Sequence, residues 1–244
     1  MQIHILGNGA MATALALGLR DKFEIIIVGR SEANLAKFKE LGIKTEIYGS
    51  SYDIENKNII LAFKPYALKE MSGVLEGKAS LCISVLAMTK LGDLDVIDAK
   101  VKAATMPNIA AEFKASITPY FTNDDDTIIR EILDTFGNSE RVFSDDELRV
   151  AGVMSGCVPA YLALVAEALS NAGVKEGLKA DISLNLARGV FASATKLLEH
   201  SHPALIKERI CSPKGTTIEG VVELERQGVR GAFIEAFHKS SNKF

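Results

Sequence analysis

A glycine turn close to the start of the chain restricts the fold more than any other feature. In MQIHILGNGAMATALALGLR the apolar run Ile3 to Leu6 stops at Gly7-Asn8-Gly9, and a helical apolar pattern begins at once with Ala10. A strand that becomes a helix through G-x-G-x-x-(G/A), here Gly7, Gly9 and Ala12, suits a backbone that must come close to a pyrophosphate. The first glycine makes the turn, the second clears space, and the small third residue lets helix and strand pack closely. The new helix then offers unpaired N–H groups and the positive end of its dipole to phosphate oxygens. The plainer alternative is a glycine-containing turn with no ligand.

Further strand-like runs, EIIIVG, NIILAF and LCISVL, alternate with amphipathic stretches such as SEANLAKFKEL and YALKEMSGVL. Strands separated by helices require crossover connections, so the first half is expected to be an α/β unit with a doubly wound parallel sheet. From Ser144 onward the pattern is helical. Ser144 and Glu147 have the spacing of a capping box. The expected organisation is therefore residues 1–145 as a nucleotide-binding domain and 146–244 as an all-helical domain.

Composition narrows the function classes. The 244 residues are 48% hydrophobic and 24% charged, as in soluble globular proteins, with a net charge of -3. No basic run offsets that charge, so nucleic acid is not an expected partner. The uncharged stretch Val150 to Ala166 is interrupted by Gly152, Gly156 and Pro159, which favours a buried helix over a membrane span. Within it, AYLALVAEAL is apolar on nearly every face and calls for cover from several sides, for which a partner subunit is a natural source. Cys82, Cys157 and Cys211 are few, odd in number and widely spaced, as expected in a reducing, cytoplasmic setting, and Cys157 is expected as a small buried residue. His200 and His202 have no third ligand near them, so no metal site is expected. The acidic run before TIIREIL suits a helix start and lacks the spacing of a calcium loop.

The second strand ends at Arg30-Ser31, about 20 residues beyond the turn, where a carboxylate would ordinarily bind the ribose hydroxyls of NAD. Arginine there suits a 2′-phosphate, so NADPH is the expected cofactor, with NADH less favoured. Lys64-Pro65 follows the probable fourth strand, at the carboxyl edge where such sheets bind ligands. Near the other end, CSPKGTTIEG brings Ser212, Gly215, Thr216 and Thr217 together, with Pro213 expected in the first turn of a helix. Hydroxyls and free N–H groups in that arrangement form a cradle for a small carboxylate, with Lys214 adding attraction.

In order along the chain, GNGAMATAL, LAFKP, MPN, SGCVPAY, AEAL and SPKGTTIEGVVELERQGVR resemble the pyrroline-5-carboxylate reductase family over nearly the whole length. The resemblance implies an N-terminal Rossmann-like domain and a C-terminal helical dimerisation domain, with active sites at the dimer interface of a homodimer or larger oligomer. It implies hydride transfer from NADPH to 1-pyrroline-5-carboxylate, giving proline. Carried over by motif, Gly7, Gly9, Ala10, Met11, Arg30, Ser31, Lys64, Pro65 and Asn108 line the cofactor. Glu167, Ser212, Gly215, Thr216 and Thr217 line the substrate, and Thr217 serves the imine nitrogen as the catalytic hydroxyl. Where the family reads RxMPN, SGSGPAY and SPGGTT, this chain carries Ala104, Cys157 with Val158, and Lys214. Other readings of the same frame are a reductase of another cyclic imine, a β-hydroxyacid dehydrogenase, or an NADP-binding protein without turnover. The dehydrogenase reading lacks its lysine in CVPAYLALVAEAL.

Overall fold

The computed structural model describes residues 1–243; Phe244, the last residue of the expected helical domain, lies outside them. The apolar runs become strands and the amphipathic stretches helices. The first unit runs β1 (Gln2–Leu6), α1 (Ala10–Leu19), β2 (Glu24–Gly29), α2 (Glu32–Glu40), β3 (Lys44–Ile47), β4 (Tyr52–Asp53) and β5 (Asn58–Leu61). It continues with α3 (Leu68–Ser72), β6 (Leu75–Glu76), β7 (Leu81–Ser84), β8 (Lys102–Thr105), β9 (Ser116–Phe121), α4 (Thr127–Leu133), β10 (Gly137–Arg141) and α5 (Asp145–Gly156).

The main sheet has the order β10-β9-β8-β7-β5-β1-β2-β3. From β3 to β8 every pairing is parallel, with Ile5 opposite both Ile27 and Ile60. The chain thus winds outward in both directions from β1, and the crevice at the carboxyl end of β1 is the switch point where such sheets bind ligands. Both faces are covered. Ile3, Ile5 and Ile27 pack with Leu15 and Leu19 of α1 on one side, while Leu6, Val28 and Leu61 pack with Met71 of α3 on the other.

Two features differ from the expected parallel sheet. β9 runs antiparallel to β8, because the link 106–115 holds only a 3₁₀ turn at Ile109–Phe113 and is too short for a parallel crossover. β4 and β6 form a separate two-stranded pair, so Lys64-Pro65 follows the fifth strand in chain order and not the fourth.

His4 is a buried polar residue in β1. Its Nδ1 lies 2.7 Å from the Tyr52 hydroxyl and its Nε2 2.9 Å from Gln2 Oε1, while Tyr52 donates to Glu46 at 2.5 Å. Burial, followed by the charge of Lys57, holds the His4 pKa below 6.5 against the opposing pull of Glu46 and Glu24. The unfolded chain therefore binds the proton more readily. Stability is expected to be level above pH 6.5 and to fall as the pH drops from there through the folded-state pKa. Urea midpoints at pH 7.5 and pH 5.5 should fall further for the wild type than for His4→Gln.

Ser144 Oγ accepts the N–H of Glu147 at 3.1 Å, and Glu147 reaches back to the N–H of Phe143 at 2.7 Å, which starts α5 as the capping-box spacing predicts. The chain separates by contacts into residues 1–156 and 157–243, so α5 goes with the sheet. The boundary expected at 145 lies at the start of α5, and the division by contacts lies at its end.

The second unit contains α6 (Val158–Lys175), α7 (Ala180–His200), α8 (Pro203–Ile210), α9 (Thr216–Arg226) and α10 (Val229–Ser241). A short link makes α6 and α7 a helical hairpin, tied by Ser183 Oγ donating to Ser170 O at 2.7 Å. Among its described residues only Ser183, Ala187 and Ser241 are buried. No residue of the apolar α6 is buried, and Leu164 is 67% exposed, so within one chain α6 is not the buried helix expected from its composition. Cys157, expected as a small buried residue, is half-buried at the entrance to α6.

Candidate active site

A cleft of about 680 Å³ opens at the carboxyl end of β1. Gly7 takes a φ of +137°, and a Cβ there would stand 2.3 Å from the Ala62 carbonyl oxygen. The turn can therefore pass β5 only as glycine. At Gly9 a Cβ would meet no protein atom within 4 Å, so the space beside this residue is open. Gly9 also caps α1 without a side-chain hydrogen bond, and no acidic residue occupies the first turn. The N–H groups of Ala10 and Met11 at this helix start are thus uncapped and at the cleft, as pyrophosphate binding requires. An open helix start facing a cleft of this size fits a dinucleotide.

At the end of β2, Arg30 donates from Nε to the Tyr48 hydroxyl at 2.6 Å and from Nη2 to Glu70 Oε1 at 2.7 Å. Lys64 and Pro65 also line the cleft, with Pro65 opening a 3₁₀ turn. Ser31 precedes α2 beside Arg30 and does not line the cleft. Asn108 does not line it either. It is buried, with Nδ2 donating to Ser155 O at 3.1 Å and Oδ1 accepting from Ala110 N at 3.0 Å. Those bonds fix its neighbours Met106, Pro107 and Ile109, which form the cleft wall.

Sequence reading missed Tyr48, Tyr66 and Glu70. Tyr66 and Glu70 are four apart after Lys64-Pro65, a spacing that puts both on one face of a helical turn and was the available signal. Tyr48 has no local signal; it reaches Arg30 because its N–H pairs with Gly29 O at 3.1 Å, extending the β2–β3 ladder.

In the second unit, Ser212, Gly215, Thr216 and Thr217 share one turn and the start of α9. Gly215 N donates to Ser212 O at 3.0 Å and caps α9 without a side-chain hydrogen bond. Pro213 therefore occupies the second position of a β-turn and not the first turn of the helix as expected. A Cβ at Gly215 would stand 2.3 Å from Ser212 Oγ, so the serine hydroxyl sits tightly over the glycine. Lys214 takes the third position with a φ of +58°, a left-handed conformation that glycine adopts more easily. Lys214→Gly is expected to stabilise the chain by up to about 1 kcal/mol, read as a raised melting midpoint. Thr216 and Thr217 are exposed, and Glu167 stands exposed on α6, a separate element. His202 Nδ1 accepts the Ala204 N–H at 3.3 Å and so caps α8.

The sheet order, the open glycine turn and the arginine ending β2 define an NADP-dependent oxidoreductase of the Rossmann type. Residues 2–88 match the family model described as NADP oxidoreductase coenzyme F420-dependent, and residues 145–244 match that for pyrroline-5-carboxylate reductase dimerisation. The chain is 39% identical to a pyrroline-5-carboxylate reductase of Helicobacter pylori, across 99% of this chain and 98% of that one. A Synechocystis reductase of the same name is 34% identical, across 97% and 94%. A crystal structure of 1-pyrroline-5-carboxylate reductase from Streptococcus pyogenes superposes with a TM-score of 0.86 at 28% identity, covering 100% of this chain and 97% of that one. The chain belongs to the pyrroline-5-carboxylate reductase family.

Proposed function

We propose that this chain reduces 1-pyrroline-5-carboxylate to L-proline with NADPH, the last step of proline biosynthesis, as a cytoplasmic homodimer or larger homo-oligomer. The observation that carries this reading is the full-length similarity to curated reductases of that name, over both the cofactor unit and the helical unit. NADPH supplies the hydride, so the protein has to bind, orient and exclude competing reactions, without a catalytic triad or metal.

In this reading the N–H groups after Gly7 and Gly9, with Ala10 and Met11, take the pyrophosphate, and Arg30 with Ser31 takes the 2′-phosphate. Lys64 and Pro65 hold one wall, and Asn108 holds the other in place through its own hydrogen bonds. Ser212, Gly215 and Thr216 receive the substrate carboxylate at the uncapped start of α9. Thr217 orients its hydroxyl toward the imine nitrogen, so that a proton relayed from solvent stays there while the carbon is reduced. Glu167 fixes a hydroxyl or water of that relay. Cyclic imines without a carboxylate are weaker substrates in this reading, because they leave the cradle at the start of α9 empty.

The helical unit buries few of its own residues and matches a dimerisation family, which supports association with a second copy. The stretch Asp145–Lys175 has the length and hydropathy of a membrane span. We read it as an interface, because Asp145, Asp146, Glu147 and Arg149 crowd one end and Glu167 interrupts the apolar helix. Nucleic acid has no part in this reading, given the net charge of -3. Steady-state oxidation of NADPH, compared with NADH, should depend on added 1-pyrroline-5-carboxylate and yield proline. Consumption that is absent with this substrate and present with another cyclic imine would move the assignment to that imine.

A further inference from the structure

Among the residues lining the cleft beyond the glycine turn stands a pair of opposite charges, Arg30 and Glu70. The Arg30 guanidinium meets the Glu70 carboxylate at 2.7 Å, with side chains 59% and 63% exposed. A pair this open to water contributes little to stability, so its position is better explained by what the two groups meet than by what they hold together. A carboxylate at the ribose end of such a cleft accepts a free 2′-hydroxyl, whereas an arginine there accepts a 2′-phosphate. This rim carries both.

We propose that Glu70 sets the balance between NADPH and NADH. Its carboxylate accepts the 2′-hydroxyl of NADH and opposes the 2′-phosphate of NADPH, while Arg30 attracts the phosphate. Oε1 is engaged by Arg30, and among the described residues Oε2 has no hydrogen-bond partner and remains an available acceptor. Tyr48 makes the assignment separable from simple support of the arginine. Its hydroxyl takes Arg30 Nε at 2.6 Å, so the guanidinium keeps an anchor when Glu70 is changed. The proposal rests on the reading that Arg30 faces the 2′ position.

The test is calorimetric binding of NADPH and of NADH to the full chain, with KM and kcat for both, in wild type, Glu70→Gln, Glu70→Asp and Arg30→Ala. Glu70→Gln keeps the shape and removes the charge. It should bind NADPH about two- to fivefold more tightly and NADH about two- to fivefold more weakly, so that the KM ratio of the two cofactors shifts in the same sense. Glu70→Asp keeps the charge and should stay closer to the wild-type ratio. An unchanged ratio in Glu70→Gln, or weaker NADPH binding, would overturn the proposal; the second result would make Glu70 a support for Arg30. Arg30→Ala separates the two layers: unchanged NADPH affinity there means that the arginine reading has failed, and the Glu70 proposal with it.

Discussion

Replacing Gly7 by valine is expected to abolish NADPH binding and to destabilise the cofactor unit by about 3 kcal/mol or more. Two independent obstacles produce this. The φ of +137° is closed to a β-branched residue, and the new Cβ would stand 2.3 Å from the main-chain oxygen of Ala62, just beyond β5, which is tied to β1 by its N–H to Leu6 O and cannot move without disturbing the sheet. Gly9→Ala is the matching control. Its φ is -80° and its surroundings are open, so alanine fits the fold. The methyl group instead enters the space assigned to the pyrophosphate. Gly9→Ala should therefore melt as the wild type does and bind NADPH about tenfold or more weakly. Denaturant midpoints and calorimetric titration separate the two outcomes. Full NADPH affinity in Gly9→Ala would mean that the cofactor does not lie against this turn.

Thr217→Ala should lower kcat about 10²-fold while leaving NADPH affinity unchanged. The hydroxyl stands in the first turn of α9, on a different unit from the cofactor cleft, so in the proposed reading its loss removes a group from the substrate side alone. Thr217→Ser keeps the hydroxyl and should recover most of the rate. The exposed position of Thr217 means that neither change should alter the melting midpoint by much. Undiminished turnover in Thr217→Ala would remove this residue from the chemistry and leave Ser212 or Thr216 to be tested in the same way.

The parts of the fold legible in the sequence are those with a local cause. The strand-turn-helix at Gly7 shows as a change of period from strand to helix, and the start of α5 shows as Ser144 with Glu147. The apolar α6 is recognisable as needing cover, although only the structure shows that one chain leaves it bare. What escaped depends on pairing across distance or on competition within a turn. β4 and β6 are only two residues each and carry no periodicity to detect. Pro213 suits a first helical turn, but Gly215 takes the cap and draws the proline into the preceding β-turn.

The site shows the same division. Gly7, Gly9 and Arg30 announce themselves by spacing along one strand-turn-helix and the next strand. Tyr48 and Glu70 come to Arg30 through strand pairing and the turn after Lys64-Pro65, from 18 and 40 residues away. Asn108 carries a motif signal, yet its amide is used inside the protein, where it positions a wall of the cleft. A motif position can thus serve a ligand through its neighbours.

The central claim is that a hydride passes from NADPH to the imine carbon of 1-pyrroline-5-carboxylate. The most direct measurement is to supply NADPH carrying two deuterons at C4 of the nicotinamide, with unlabelled 1-pyrroline-5-carboxylate, and to weigh the product. The predicted product is proline one mass unit heavier, with the deuteron on the ring carbon next to nitrogen that does not bear the carboxylate. Proline without the label, or no proline while NADPH remains bound, would contradict it.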